Sequence, residues 1–467
     1  MVTTTTTMVT TKTDQIQLTP EFCVSVPTTK LLVETVTSHA VVIEPYHVDL
    51  LQEYDYVSRE YLMSGIAAGE SYCTRLLLRC PADSSNFTGF VVLEPSHLWG
   101  GTSIWRHINR WLMRNGHAWM EVDSQAPSAL GKIKRVNPAR YRDMHFIPGP
   151  LSDEFQDTIP FVASATKETL RDAYDSFKAQ WWPATTQSPE IIVQSSHILR
   201  SGDLGLTATR VILTGLSQTG GLTRRFITHS SHLRLPNGKL PLEAFIPCQS
   251  GGEALPDVPG AKIVELLGES EFLSVRQPCG VSGQMKDTKH RRPESDGFRL
   301  YEVAGMAHRE SRYASEVDLE RWQVAELHGA KWSTFANSFI YHAVFEIVER
   351  WTSESAIPPP SSSILHTIDQ SDEIFRDEHG NATGGVRTVH TEAPLARLVA
   401  ATPKGRPNWY WGSEWPFDHQ KLRGLYESVA NYRRVAGLAI QQQVKSGFLL
   451  LADAETLRRE TIENVVF

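Results

Sequence analysis

The stretch Val211-Ile212-Leu213-Thr214-Gly215-Leu216-Ser217-Gln218-Thr219-Gly220-Gly221 narrows the folds open to this chain more than any other. A β-branched, apolar run meets a serine set among glycines, and residues 222–229 continue with helical character. Strand, sharp turn and helix in that order lift a serine hydroxyl above the end of a parallel sheet, where it can act as a nucleophile. The serine backbone in such a turn is strained and needs small neighbours, which Gly215 supplies two residues before Ser217. Two residues after it the usual glycine is replaced by Thr219, with Gly220 and Gly221 following. A serine among glycines is more often a plain turn, so the reading depends on whether an acid and a base follow in a suitable order.

The surrounding chain alternates strand-like and helix-like segments. Residues 23–94 read as the antiparallel opening of a sheet, with strands in Lys30–Val42, Tyr72–Arg79 and Gly89–Leu93. A loop from Glu94 to Gly101 leads to a helix over Ile104–Asn115 and a strand over Gly116–Val122. Helices are expected at Leu170–Trp181 and Ile191–Leu199, and strands at Arg210–Leu213, Ala261–Leu267 and Phe298–Val303. A strong helix follows at Phe335–Trp351, then a linker or extended bridge at Pro358–Ser363, and closing helices at about His419–Ser446 and Asp453–Asn464. This order implies an α/β fold whose mostly parallel sheet is covered by helices on both faces. The expected organisation is a disordered leader at 1–20, a core at 21–352 and a helical C-terminal extension at 353–467 packed on that core. An insertion at about 127–190 is longer than a usual crossover and is a candidate lid.

Functional residues in parallel α/β folds gather at the carboxyl ends of strands. Ser217 stands at one such end, Gly268-Glu269-Ser270-Glu271 at a second, and Gly305-Met306-Ala307-His308 at a third. Serine, acid, histidine is a recurrent chain order for a nucleophilic triad. The hydroxyl is a poor nucleophile near neutral pH until an imidazole takes its proton, and His308 is the candidate. A carboxylate on the other ring nitrogen holds the tautomer and steadies the imidazolium. Position favours Glu271 for that place, with Glu269 nearly as good. Oxyanion stabilisation calls for the backbone amide of Gln218 and a second N–H from the loop after residue 93, where Ser96 and His97 are the candidates. Glu265 interrupts an apolar strand and reads as facing a polar partner. Trp99, Trp105, Trp181, Trp182, Trp409 and Trp411 lie in or near predicted loops, where they could line an apolar pocket or simply pack.

Composition closes off other classes. The net charge of −7 comes without a basic stripe, which argues against nucleic acid and anionic membranes. Five cysteines with no C-x-x-C spacing argue against a disulfide framework or a cysteine zinc site and fit a reducing, cytoplasmic setting. No H-E-x-x-H motif or phosphate-cradling glycine loop is present, so no metal or cofactor is expected.

Several segments resemble a known family, the large alpha/beta hydrolase domain proteins with a G-x-S-Q-[ST] elbow. They are Pro81-Ala82-Asp83, Asn86-Phe87-Thr88-Gly89, Leu93-Glu94-Pro95, Asn137-Pro138-Ala139-Arg140-Tyr141, Gly215–Thr219, Glu269-Ser270-Glu271, Arg299–His308, Gly380–Arg387 and Pro416-Phe417. Asn137 stands where the family tends to have aspartate, a departure read as structural. The resemblance covers roughly residues 30–455 and implies an α/β-hydrolase fold and a serine hydrolase of the esterase kind, and little about substrate; the chain as a whole reads as hydrolysing a small, apolar carboxylic ester or a lactone. It leaves Glu269 and Glu271 unresolved. Acyl transfer by the same triad and a catalytically silent ligand-binding protein are the alternatives.

Overall fold

The computed structural model describes residues 22–41, 49–97, 103–146, 185–273, 288–312, 329–354, 356–365, 374–400 and 411–467. Among these, nine strands form one sheet in the order β1-β2-β3-β5-β4-β6-β7-β8-β9. They are β1 (Thr28–Leu31), β2 (Tyr56–Ala67), β3 (Glu70–Pro81), β4 (Phe90–Pro95), β5 (Ala118–Val122), β6 (Arg210–Leu216), β7 (Ala244–Cys248), β8 (Lys262–Gly268) and β9 (Phe298–Val303). Pairing is antiparallel from β1 through β3 to β5, and parallel from β5 through β4 to β9.

The parallel half reads as apolar runs because both of its faces are covered. Alternate residues of one strand go to opposite faces. Val91, Leu93, Val211 and Leu213 pack with Ile192 and Ile198 of the helix Ser188–Ser201 and with Leu222 and Phe226 of the helix Gln218–His229. Phe90, Val92 and Ile212 pack with Ile108 and Trp111 of the helix Trp105–Arg114 and with Ile340 and Val344 of the helix Asn337–Ser353. Alternate apolar residues of these strands therefore belong to one or the other of two cores that sandwich the sheet.

Several sequence expectations change. The strand expected across Lys30–Val42 is confined to Thr28–Leu31, and β2 had not been expected. β2 and β3 form a hairpin over the two-residue turn Ala68-Gly69, whose φ values of 52° and 81° are both left-handed. That is the turn whose twist matches paired strands. The helix expected over His419–Ser446 is two helices, His419–Tyr426 and Val429–Lys445. Glu427 has φ 62° between them, and the Ser428 side chain caps the second by accepting from Asn431 N. A small antiparallel sheet of Lys331–Trp332, Ser413–Pro416 and Ala396–Val399 was also missed, since its strands are two to four residues long. The leader at 1–20 and the helix expected at Leu170–Trp181 lie outside the described residues.

The chain beyond residue 353 is tied to the sheet. Ser362 and Val386 bridge in parallel to Tyr301 and Val303, covering the open edge of β9. Asp453 accepts from Arg114 at 2.8 Å and pairs with His342 Nδ1 at 2.7 Å.

His117, at the entry to β5, sits between Phe90 and Trp111 with ring centroids 4.9 and 4.8 Å away. Burial pushes its pKa down from 6.5 to about 3, with Arg210 adding to the effect. The unfolded chain takes up this proton below pH 6.5 and the folded chain does not until about pH 3, so acidification through that window favours unfolding. The cost at pH 5 is about 2 kcal/mol. A His117→Gln variant is expected to lose about 2 kcal/mol less stability than wild type between pH 7 and pH 5 in urea unfolding. Equal losses in the two proteins would remove His117 from the acid response.

Candidate active site

Ser217 lies between the end of β6 and the first residue of the helix Gln218–His229, with φ 60° and ψ −114°. A non-glycine residue in this region carries about 1–3 kcal/mol of strain and persists only if its surroundings hold it. Here the Ser217 N–H donates to Cys248 O at 3.0 Å, and Gly221 N donates to Ser217 O at 2.9 Å. A Cβ on Gly215 would lie 2.3 Å from the backbone carbonyl of Thr219, so the turn closes only around glycine. A Cβ on Gly220 would lie 2.5 Å from Cys248 O.

The close approach usually met by glycine two residues after the serine is thus met by Gly220, three residues after it. Thr219 has a different task. Its buried hydroxyl accepts from Leu216 N at 2.9 Å and donates to Leu216 O at 3.0 Å, fastening the turn from inside. The threonine is compatible with the elbow.

Glu269 and Glu271 follow β8, and His308 follows β9. His308 Nδ1 is 2.7 Å from Glu271 Oε1, and both side chains are buried. Glu269 has other neighbours: its carboxylate accepts from Gly305 N at 2.7 Å and from Arg376 at 2.8 Å. The two glutamates that spacing left equivalent therefore differ in place, one on the imidazole and one bracing the loop that carries it.

Residues that sequence reasoning missed join these strand ends. Gln249, just after β7 with φ 49°, accepts from Gly268 N at 2.7 Å and donates to Ala307 O at 3.3 Å. Asn337 donates to the same Ala307 carbonyl at 2.8 Å. The peptide preceding His308 is thereby held from two sides, and the Cys248–Gln249 segment links it to Ser217. The only signal in the sequence was position, since both are polar residues set among apolar elements.

The loop after β4 starts from a fixed base. Glu94 accepts from Ile104 N at 2.7 Å and from Trp119 Nε1 at 2.9 Å. Ser96 is buried, and its N–H extends the sheet pairing by donating to Val122 O at 2.8 Å. His97 is half-buried, and residues 98–102 lie outside the described residues. Gln218, half-buried, donates from its side chain to Gln125 Oε1 at 2.9 Å. Its backbone N–H belongs to the first residue of the helix that follows Ser217.

Other ionisable groups near these strand ends are shifted. Burial pushes the Cys248 thiol up, which fits an inert buried thiol. Burial would raise Glu310, but Arg312 and His107 more than offset this and hold it at about 2. Burial also pushes His107 down, against the opposing pull of Glu310. Glu265 pairs with Arg224, the polar partner that its interrupted strand called for. Trp105 and Trp411 are fully buried, while Trp99, Trp181, Trp182 and Trp409 lie outside the described residues. Among the described residues no group of three or more His, Cys, Asp or Glu could hold a metal ion, and no helix is long and apolar enough to cross a membrane.

A mostly parallel sheet with helices on both faces, an antiparallel opening and a strained serine between strand and helix defines the α/β-hydrolase fold. The model of the family described as alpha/beta hydrolase domain matches residues 24–459, and the chain belongs to that family. No curated protein matches the chain. Among solved structures it is similar to a candidate dienelactone hydrolase from Klebsiella pneumoniae subsp. pneumoniae MGH 78578, at 13% identity over 57% of this chain and 95% of that one, with a TM-score of 0.28. It is similar to the esterase Est22 at 12% identity over 45% of this chain and 50% of that one, with a TM-score of 0.25. Fungal esterases from Rhizomucor miehei give 11% identity over 47% and 54%, with a TM-score of 0.24.

Proposed function

We propose that this protein hydrolyses a small carboxylic ester through an acyl-enzyme on Ser217. The observation that carries the reading is the 2.7 Å contact between His308 Nδ1 and Glu271 Oε1, on strand ends tied through Gln249 and Cys248 to the strained Ser217. In this reading Ser217 Oγ attacks the ester carbonyl carbon while His308 Nε2 takes the hydroxyl proton. Glu271 accepts from Nδ1–H, fixing the tautomer and stabilising the imidazolium. The tetrahedral oxyanion takes hydrogen bonds from the Gln218 N–H and from an amide of the loop after β4. Because the Ser96 N–H is committed to Val122 O, His97 is the reading's second donor. Collapse breaks the bond to the alcohol oxygen, which leaves with the proton from His308. Water then attacks the acyl-enzyme by the same steps in reverse, releasing the acid.

A fluorophosphonate probe tests the nucleophile without knowledge of the substrate. The expected result is one adduct on the peptide bearing Ser217, absent after heat denaturation. Labelling elsewhere, or none on folded protein, would count against the reading.

Kinetics of isosteric variants separate the glutamates. Glu271→Gln is expected to lower kcat on p-nitrophenyl butyrate by about 10³–10⁴-fold, because the amide favours the wrong imidazole tautomer. Glu269→Gln should stay within about 10-fold of wild type and instead lose about 1–3 kcal/mol of stability, having weakened the contacts to Gly305 and Arg376. The opposite ranking in kcat would reassign the acid.

A further inference from the structure

Gln125 takes no part in the chemistry described above, yet its fully buried side chain reaches both sides of the site. Nε2 donates to Ser96 O at 3.1 Å and to Gln218 Oε1 at 3.4 Å, and Oε1 accepts from Gln218 Nε2 at 2.9 Å. Its own backbone is anchored, with Gln125 O accepting from Ala129 N at 3.0 Å and from Ser128 Oγ at 2.9 Å. One side chain therefore joins the loops after β4, β5 and β6.

The carbonyl that Gln125 holds belongs to the peptide unit that also carries the His97 N–H. A trans peptide is planar, and its C=O and N–H point in opposite directions. Holding Ser96 O against Gln125 thus turns the His97 N–H the other way. The preceding peptide is fixed independently, by Ser96 N donating to Val122 O. The Gln125 contact is one hold on the rotation of the Ser96–His97 plane about its flanking bonds, and so on the direction of the N–H. The other end of Gln125 grips Gln218, whose backbone N–H is the first oxyanion donor of the proposed mechanism. Oxyanion donors act only if both are set in advance at hydrogen-bond distance from the charge that develops.

We infer that Gln125 is a positioning residue of the oxyanion hole, orienting the Ser96–His97 peptide and keying it to Gln218 through a paired side-chain amide. This rests on the ester-hydrolase reading of Ser217. It explains why a residue with both donor and acceptor is needed there: Nε2–H must meet a carbonyl while Oε1 meets an amide. Glutamate has the same shape, but its carboxylate cannot donate to Ser96 O and would add negative charge beside the developing oxyanion.

The test compares Gln125→Met, Gln125→Glu and Gln218→Met with wild type and Ser217→Ala, using p-nitrophenyl butyrate and a fluorophosphonate. Gln125→Met is expected to lower kcat roughly 10- to 100-fold with KM within about twofold, as loss of stabilisation confined to the transition state requires. Gln125→Glu should fall further. Gln218→Met, which keeps the backbone donor and breaks the pair from its half-buried end, should lose roughly 3- to 10-fold in kcat. The fluorophosphonate labelling rate should drop in the same order. A folded Gln125→Met enzyme with wild-type kcat and labelling rate overturns the inference, as does a loss expressed only in KM. If Gln125→Met does not fold, Gln218→Met decides by the same criteria. Wild-type turnover and labelling in Ser217→Ala would instead sink the nucleophile reading, and this inference with it. An inactive Ser217→Ala beside a fully active Gln125→Met would sink this inference alone.

Discussion

Ser217→Ala and His308→Ala are each expected to lower kcat on p-nitrophenyl esters by at least about 10³-fold, the first with little change in the unfolding midpoint. The two losses should not add. A triad acts as a unit, so the double variant is expected to be about as slow as the worse single one, the residue of activity coming from the oxyanion donors and binding. Stability should hold because Ser217 is a strained, half-buried residue, and alanine in its place removes no internal hydrogen bond of the described side chain. His308→Ala leaves Glu271 buried beside a cavity, so a modest stability loss is expected there. The check is steady-state kinetics across short- and long-chain esters, alongside urea unfolding of each variant. Retained turnover in Ser217→Ala would end the case for an acyl-enzyme on this residue.

Glu60→Ala is expected to lower the free energy of unfolding by about 3–5 kcal/mol, the cost of removing one partner from a buried charge cluster. Glu60 Oε1 accepts from Arg75 Nε at 2.6 Å and from the Tyr141 hydroxyl at 2.6 Å, and Oε2 accepts from Arg140 Nε at 2.7 Å. Arg75 also reaches Glu121 at 3.0 Å and Asp123 at 2.8 Å, so it would keep carboxylate partners. Arg140 would not. Its remaining contacts are the carbonyls of Leu32, Val33 and Ser38 and the Ser38 hydroxyl. A buried guanidinium facing only neutral acceptors is the expected source of the loss. Urea titration followed by far-ultraviolet circular dichroism measures it, and a change below about 1 kcal/mol would take this cluster out of the stability account.

That cluster also gives a place to the Asn137-Pro138-Ala139-Arg140-Tyr141 segment, in which the departure at Asn137 reads as structural. Arg140 and Tyr141 clamp Glu60 of β2, and Asn137 Oδ1 accepts from Arg140 N at 3.1 Å, as an aspartate oxygen in that place also would. The Gly380–Arg387 segment has a comparable part. Gly385, with φ 64°, lets the chain pass so close to β9 that a Cβ would lie 2.5 Å from Glu302 O. Val386 then pairs with Val303, two residues before Gly305.

The sequence by itself determined the strand–turn–helix at Ser217, the parallel α/β class, and the chain order in which serine, acid and histidine reach three strand ends. These follow from local rules: a two-residue period in strands, a longer one in helices, and the intolerance of a strained turn for bulk at Gly215. Only the tertiary structure decided which glutamate meets His308. Glu269 and Glu271 share a chain position to within two residues, and their separation depends on Gly305 and Arg376, 36 and 107 residues away from Glu269. The same holds for Gln125 and Gln249, whose partners lie 29 to 93 residues off for the first and 19 to 58 for the second. Thr219 shows the converse, a departure from pattern that spacing alone cast as a weakness. Its hydroxyl closes on Leu216 only because the folded turn brings the Leu216 peptide back within 3.0 Å, a distance no linear pattern encodes.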